Sequence, residues 1–167
     1  FEGTTGAGLR SFGTVEATDG DVTISAAAGN ISLGDITSDS GVVGTHGVDV
    51  TATTGGIIIT GTVMSDNDVL LTAGTTHNDN ASDNVADIVS QIVSLTAGTG
   101  IGTTNGSVDV DVLTVTLATS VTGGVNLNLL DPNNSGVTAT AITATTSGNI
   151  AVESTEGGDG SGTFLFT

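Results

Sequence analysis

Apolar residues alternate with small polar residues through most of the chain, in short runs that end at glycine or asparagine. Residues 21–36 show the pattern best: Val22 and Ile24 alternate with polar residues, a small-residue corner follows, and the alternation resumes at Ile31. A period of two is typical of a strand with one buried face. This run therefore predicts a strand, a turn and a second strand.

The same unit recurs along the chain. A corner signature, in which glycine and then asparagine or glycine precede two apolar residues separated by one position, begins at Gly29, Gly55, Gly123 and Gly148. The first two glycines and the last two lie about 25 residues apart, and the long middle interval divides into three steps of about 23. Residues 69–74 and 93–98 fill that interval with first halves of the unit. Repeats of this length are typical of solenoids, so we predict about six or seven turns of one coil.

The predicted fold is all-β, a parallel β-solenoid forming a single domain over residues 1–167, with residues 1–18 and 157–167 as capping or docking ends. Small and β-branched residues suit a narrow core closed by stacked strands, and glycine supplies the corners. A β-sandwich is the alternative. The complete absence of Trp and Tyr weighs against a sandwich of the immunoglobulin type.

One part of the chain departs from the alternation. Residues 75–83 are the most polar window and predict a loop. The segment that follows has apolar residues at helical spacing, at positions 85, 88, 89 and 92. A single helical turn capped by Ser82 or Asp83 and a continuation of the coil both stay open here.

Composition excludes several classes of protein. The net charge is −17, Lys is absent and Arg10 is the only strong base, so the basic footprint that nucleic acid requires is missing. No apolar run approaches the roughly 20 residues of a membrane span. The lack of cysteine excludes disulfides and thiolate metal sites. The acidity suits solubility or divalent cations in an extracellular setting.

All four aromatic residues lie near the ends of the chain, at Phe1, Phe12, Phe164 and Phe166. A solenoid exposes unpaired strand edges at both ends, and these edges must be capped or they pair with another chain. The phenylalanines either plug the ends or dock between subunits, by strand addition or end-to-end stacking. We take the four residues as a candidate subunit interface. Because the chain begins at Phe1 without Met or a signal peptide, we also expect a processed precursor or a segment of a larger protein.

The corner blocks at residues 26–36 and 145–152 resemble large secreted bacterial repeat proteins of the filamentous-haemagglutinin and autotransporter-adhesin type. The resemblance covers residues 20–152. It implies a right-handed parallel β-helix, a cell-surface or extracellular location, and a structural or adhesive role. That family shares no catalytic residues, so the resemblance indicates a fold and not an activity.

Two pairs of aspartates are candidate catalytic residues. A polysaccharide hydrolase needs two carboxylates about 5 to 10 Å apart, and Asp109 with Asp111, or Asp66 with Asp68, could provide them. The favoured interpretation is that these aspartates are solvated positions alternating with a valine core. A lyase needs cations that this chain lacks. We therefore predict no enzyme and no catalytic residue.

Metal ligands are weakly indicated. His46 and His77 are the only histidines, and both are predicted to lie in turns without a third ligand. Asp79 and Asp83 lie in an oxygen-rich window that fits no EF-hand. Asp159 lies in a glycine-rich stretch similar to a single calcium-binding nonapeptide. These three aspartates are the calcium candidates, and no other cofactor is expected.

The predicted function is that of a non-enzymatic extracellular structural protein, a homopolymer subunit of a fibre, sheath or adhesin stalk. The alternative is a ligand-binding face for ice or for a host or matrix glycan. That alternative depends on four Thr-x-Thr pairs, which begin at Thr51, Thr114, Thr138 and Thr143. Pairs aligned on successive turns would favour binding, whereas scattered pairs would indicate only the β-propensity of threonine.

Overall fold

The computed structural model describes residues 2–3, 8–39, 47–80, 83–102, 106–131, 136–156 and 164–166. These residues form seventeen strands and contain no helix. The strands are β1 (Glu2–Gly3), β2 (Arg10–Ala17), β3 (Val22–Ala26), β4 (Ile31–Ser38), β5 (Val48–Ala52), β6 (Ile57–Ile59), β7 (Val63–Ser65), β8 (Asp68–Ala73), β9 (Thr76–Asp79), β10 (Ile88–Ala97), β11 (Gly100–Ile101), β12 (Val108–Ser120), β13 (Val125–Asp131), β14 (Val137–Ala139), β15 (Ile142–Ala144), β16 (Ile150–Glu156) and β17 (Phe164–Phe166).

The strands pair in parallel with strands of adjacent turns, on both sides in the middle of the coil, which confirms the predicted β-solenoid. The β-sandwich alternative is wrong, because its sheets would need antiparallel neighbours. About five full turns stack between two partial turns at the ends. The predicted six or seven turns therefore include the partial ones. The right-handed sense stays a prediction, because the strand pairings are the same for either hand.

Three ladders of stacked strands form the walls of the coil. The first face contains β1, β3, β5, β8, the second half of β10, the middle and end of β12, and β14, β15 and β17. The second face contains the start of β2 and of β4, then β6, β9, β11, and the start of β13 and of β16. The third face contains the remainder of β2 and β4, then β7, the start of β10 and of β12, and the end of β13 and of β16.

The predicted corner signatures stack in register at the start of the second face. One unbroken column joins Arg10, Ile31, Ile57, His77, Ile101, Val125 and Ile150. His77 and Ile101 occupy the two turns that lack the signature, as the division of the long interval into three steps predicts. Glycine is required at this corner because turns approach closely: a Cβ on Gly123 would overlap the carbonyl oxygen of Thr99.

The core is built from alternate positions of the three faces. On the first face β3, β5, β8 and β10 each contribute a valine, then a second aliphatic residue, then an alanine, as in Val69, Leu71 and Ala73, all buried. Identical positions of successive turns lie in register, so like side chains stack on like. This stacking explains why one short pattern, repeated, is sufficient to specify the fold.

The structure decides one open alternative and corrects one local prediction. The helical turn at residues 85–93 is absent, because Ile88 begins strand β10, so the coil continues there. The predicted loop at residues 75–83 contains strand β9, whose side chains line the second face. Within the predicted capping end, β2 pairs along its length with β4 although its sequence lacks the corner signature.

Candidate functional site

A short loop, residues 83–87, lies against the outside of the coil where the second and third faces meet. Asn84, whose backbone adopts a φ of 58°, accepts a hydrogen bond at Oδ1 from Asn128 Nδ2, at 3.2 Å. Asn128 belongs to β13, in a turn well separated along the chain, and it is 1% exposed. The loop therefore covers the outer surface of the third face.

Backbone hydrogen bonds hold the other end of this loop. Val63 N–H donates to the carbonyl oxygen of Asp87 at 2.8 Å, and the Thr62 hydroxyl donates to the carbonyl oxygen of Ala86 at 3.2 Å. Asp87 N–H donates to the carbonyl oxygen of Asp109, and Asp109 N–H donates to Asp87 Oδ2, both at 2.8 Å. The side chain of Asp87 is thus fastened to the backbone of β12.

Four carboxyl groups lie close to one another at this loop. Asp83 and Asp87 belong to the loop, Asp79 to β9 and Asp109 to β12. Asp87 is 6% exposed and Asp109 is 2% exposed. Burial, followed by the charge and the hydrogen bond of Asp79, raises the pKa of Asp87 to about 8, against the lowering effect of the hydrogen bond from the Asp109 backbone. Asp87 therefore favours its neutral form at pH 7, and its side chain is hydrogen-bonded to that of Asp79.

Asp109 is less perturbed because it has more hydrogen-bond donors. Burial raises its pKa, while the Ser107 hydroxyl, which donates to Asp109 Oδ1 at 2.8 Å, and the Asn128 side chain lower it. The charges of Asp79 and Asp83 act in the raising direction. The groups that surround Asp87 are thus acidic, and the only strong base of the chain, Arg10, is in the first turn.

A cleft of about 220 Å³ opens beside these residues. Asp79 and Asp83, two of the calcium candidates, both line it together with Asp87. Among the described residues, however, no three acidic or histidine side chains are placed to hold one metal ion. The third candidate, Asp159, lies outside the described residues.

The sequence does not indicate Asp87 as a site residue, and the predicted solvation of Asp109 is wrong. Asp87 lies in residues 85–93, where the spacing of apolar residues leaves a helical turn open, and its separation from Asp79 matches no motif. Asp109 was expected to be solvated, but the covering loop buries it. Asp111 is half-buried on the same strand, and its pKa is raised by burial and then by the charge of Asp131. Asp109 and Asp111 thus face different neighbours.

The second carboxylate pair is Asp66 with Asp68. Asp68 is exposed and accepts a hydrogen bond from Asn67, so it fits the solvated interpretation.

His77 points into the core. It is fully buried, and its Nε2–H donates to the carbonyl oxygen of Thr96 at 2.8 Å. Burial lowers its pKa to about 4, against the raising effect of this hydrogen bond. The prediction that His77 lies in a turn was wrong, because it fills an interior position of β9. His46 lies outside the described residues.

The ends of the coil contain the candidate interface residues that are described. Phe12, in the first turn, is half-buried and lies in register with Leu33. Phe164 and Phe166 belong to β17, the last strand of the first face, where they pair with β14. Phe1 lies outside the described residues. The described phenylalanines therefore belong to the first and last turns.

Threonine forms one aligned column on the outer surface of the first face. The column contains Ser25, Thr51, Thr72, Thr96, Thr119 and Thr143. The outward column beside it is mixed and contains Thr23, Asp49, Leu70, Ser94 and Leu117. The first face therefore presents a single row of threonines and not an array of stacked Thr-x-Thr pairs.

No family model, no curated protein and no solved structure matches this chain. The described residues also include no helix that is long and apolar enough to cross a membrane.

Proposed function

We propose that the protein is a non-enzymatic structural element that acts outside the cell, a β-solenoid rod whose end turns pack against a second copy of the chain. One observation carries this proposal: in the described part of the chain, the hydrophobic core is only partly covered at its first and last turns. Five hydrophobic residues pack against the core but are only partly buried, and all belong to the first or last turn: Phe12, Val15, Ala17, Ile142 and Val152.

The strand edges at the ends support the same role. In the described part of the chain β2 pairs only with β4, and β16 pairs only with β13. Each is long, with eight residues in β2 and seven in β16. Exposed parallel edges of this length are templates for strand addition. A head-to-tail stack, in which β2 of one copy follows β16 of another, would satisfy both edges and cover the core at these turns.

The register of the coil makes such a stack geometrically consistent. The corner column runs unbroken from Arg10 in the first turn to Ile150 in the last. A second copy that continues this column would place its Phe12 over Val152 of the first copy. This contact is heterologous and repeats without closing, so it would build a fibre.

Charge opposes the assembly and gives it a salt dependence. Each chain carries −17, so two copies repel over the roughly 8 to 10 Å Debye length at physiological ionic strength. Added salt screens this repulsion and strengthens the hydrophobic contact. Assembly should therefore increase between 0.1 M and 1 M NaCl.

The experiment compares two aliphatic residues of nearly equal exposure at different places on the coil. Ile150 is 49% exposed in the last turn, and Leu113 is 48% exposed on a side wall. We expect light scattering of the wild-type protein to show a mass that grows with concentration and salt. Ile150→Asp should keep the mass at that of one chain, whereas Leu113→Asp should assemble like the wild type. A monomeric wild type in 1 M NaCl, or equal effects of the two variants, would refute the proposal.

A ligand-binding first face is the second candidate, and the threonine column supports it. Its hydroxyl groups repeat at the strand spacing of about 4.8 Å, which could match a regular surface such as ice or a crystalline glycan. The mixed neighbouring column makes the matching area narrow. Inhibition of ice recrystallisation that Thr72→Val and Thr96→Val together abolish would favour this candidate over the structural one.

A further inference from the structure

We propose that residues 83–87 form a proton-operated clasp, which closes on the wall of the coil while the Asp87 carboxyl is neutral and loosens when that carboxyl ionises. The proposal is independent of end-to-end assembly. It depends on how the loop is fastened and on which groups face Asp87.

The fastening concentrates on one residue. Asp87 makes four hydrogen bonds with the coil: its carbonyl accepts from Val63 N–H, its N–H donates to the Asp109 carbonyl, its Oδ2 accepts from Asp109 N–H, and its side chain is hydrogen-bonded to that of Asp79. These bonds tie the loop to β7, β9 and β12. Among the described residues, the further contacts of the loop with the coil are Asn84–Asn128 and Thr62–Ala86. Displacement of Asp87 would therefore undo most of the closed arrangement.

The charged groups around Asp87 are all acidic. Asp79 faces it from β9, Asp109 from β12, and Asp83 contributes from the loop itself through its effect on Asp109. The segment 60–62 and strand β7 contribute hydroxyl and backbone groups but no charged side chain. An ionised Asp87 in the closed loop would thus be buried beside like charges, without a base to compensate it.

The direction of the pH effect follows from proton binding. In the closed loop the pKa of Asp87 is about 8, against an ordinary value of 3.8 for a solvated carboxyl. Between these values the closed loop retains a proton that the open loop releases. Closure is therefore favoured most at low pH, weakens as pH rises from about 4 to about 8, and changes little above that.

Hydrogen exchange tests the clasp directly. The amides of Val63, Asp87 and Asp109 report on closure, and Val50 N–H on the first face serves as an internal reference. With a chelator present, so that no divalent cation replaces the proton, we expect protection of the three amides, corrected for intrinsic exchange, to fall between pH 5 and 8. The slope should approach tenfold per pH unit, the limit for a single proton.

Two variants give the test its control. Asp87→Asn keeps the shape of the neutral carboxyl and cannot ionise, so its protection should be flat over the same pH range. Asp49→Asn, at an exposed position on the first face, should keep the wild-type slope. Wild-type protection that does not change between pH 5 and 9 would overturn the proposal. So would an Asp87→Asn variant that retains the wild-type slope.

Discussion

The first face and the loop-covered corner are built from the same coil but follow opposite rules. On the first face β5, β8 and β10 repeat one pattern: valine, aliphatic residue and alanine inside, and threonine outside. At the corner no two turns are alike, and buried carboxyl groups of Asp87 and Asp109 replace solvated side chains. Repetition stabilises a solenoid because each turn is a template for the next. A site that breaks the repetition costs stability, which suggests that it serves another purpose, and the clasp is our proposal for that purpose.

The largest effect should come from opening a cavity in the regular face. Leu95 is fully buried between Leu71 and Ala118 of adjacent turns. We expect Leu95→Ala to lower the free energy of unfolding by about 2–5 kcal/mol, the range for buried leucine. Chemical denaturation followed by circular dichroism measures it.

The matched control is Leu113→Ala. Leu113 is the same residue type but 48% exposed, so its loss should change stability by no more than about 0.5 kcal/mol. Similar losses for the two variants would mean that the first-face interior is not the principal source of stability.

His77 is a polar residue in the interior of the coil. The corner column to which it belongs is otherwise apolar, except for Arg10 at its end. Its pKa is lowered to about 4 in the folded state, against 6.5 when unfolded. The unfolded chain therefore binds the proton first as pH falls. Stability from a neutral His77 is complete above pH 6.5 and is lost through pH 4, by about 3 kcal/mol between pH 7 and 4.

The measurement is a pH series of denaturation curves for the wild type and His77→Ile. The isoleucine follows Ile57 and Ile101 in the same column and cannot titrate. Carboxyl groups such as Asp87 change stability in both proteins, so the difference between the curves isolates the histidine. A difference that is constant from pH 7 to 4 would contradict a buried neutral imidazole.

The smallest effect should come from the outer surface of the first face. Thr72 lies between Thr51 and Thr96 in the threonine column. Cross-strand pairs of this kind contribute about 0.2–1 kcal/mol relative to alanine, so Thr72→Ala should cost that amount. Thr72→Val keeps the β-branched shape and should cost less. A larger loss from valine than from alanine would show that the hydroxyl, and not the shape, stabilises the column.

The regular part of the fold could be predicted because its information is local and repeated. The glycines of the corner signature and the alternation around Val22 and Ile24 predict strands, turns and their period. The turns that contain His77 and Ile101 lack the signature. The sequence predicts them only through the length of the interval between Gly55 and Gly123, which divides into three equal steps. The order of the turns then follows from the chain itself.

The loop-covered corner could not be predicted, because its contacts join residues far apart in the sequence. Asn84 meets Asn128, and Asp87 meets Asp109, without any pattern linking the partners. The apparent helical spacing at residues 85–92 arises where an exposed loop residue, Val85, runs into a bent strand. The burial of His77 was equally invisible, since its place in an aliphatic column appears only once the register is known.

Electron microscopy of the purified protein at high ionic strength tests the central claim most directly. The account predicts unbranched filaments with a 4.8 Å strand spacing along the axis, and a subunit rise of about 30 Å set by the stacked turns. Ile150→Asp should remove them and Leu113→Asp should not. Monodisperse particles the length of one coil, for the wild type at every salt concentration, would contradict the account.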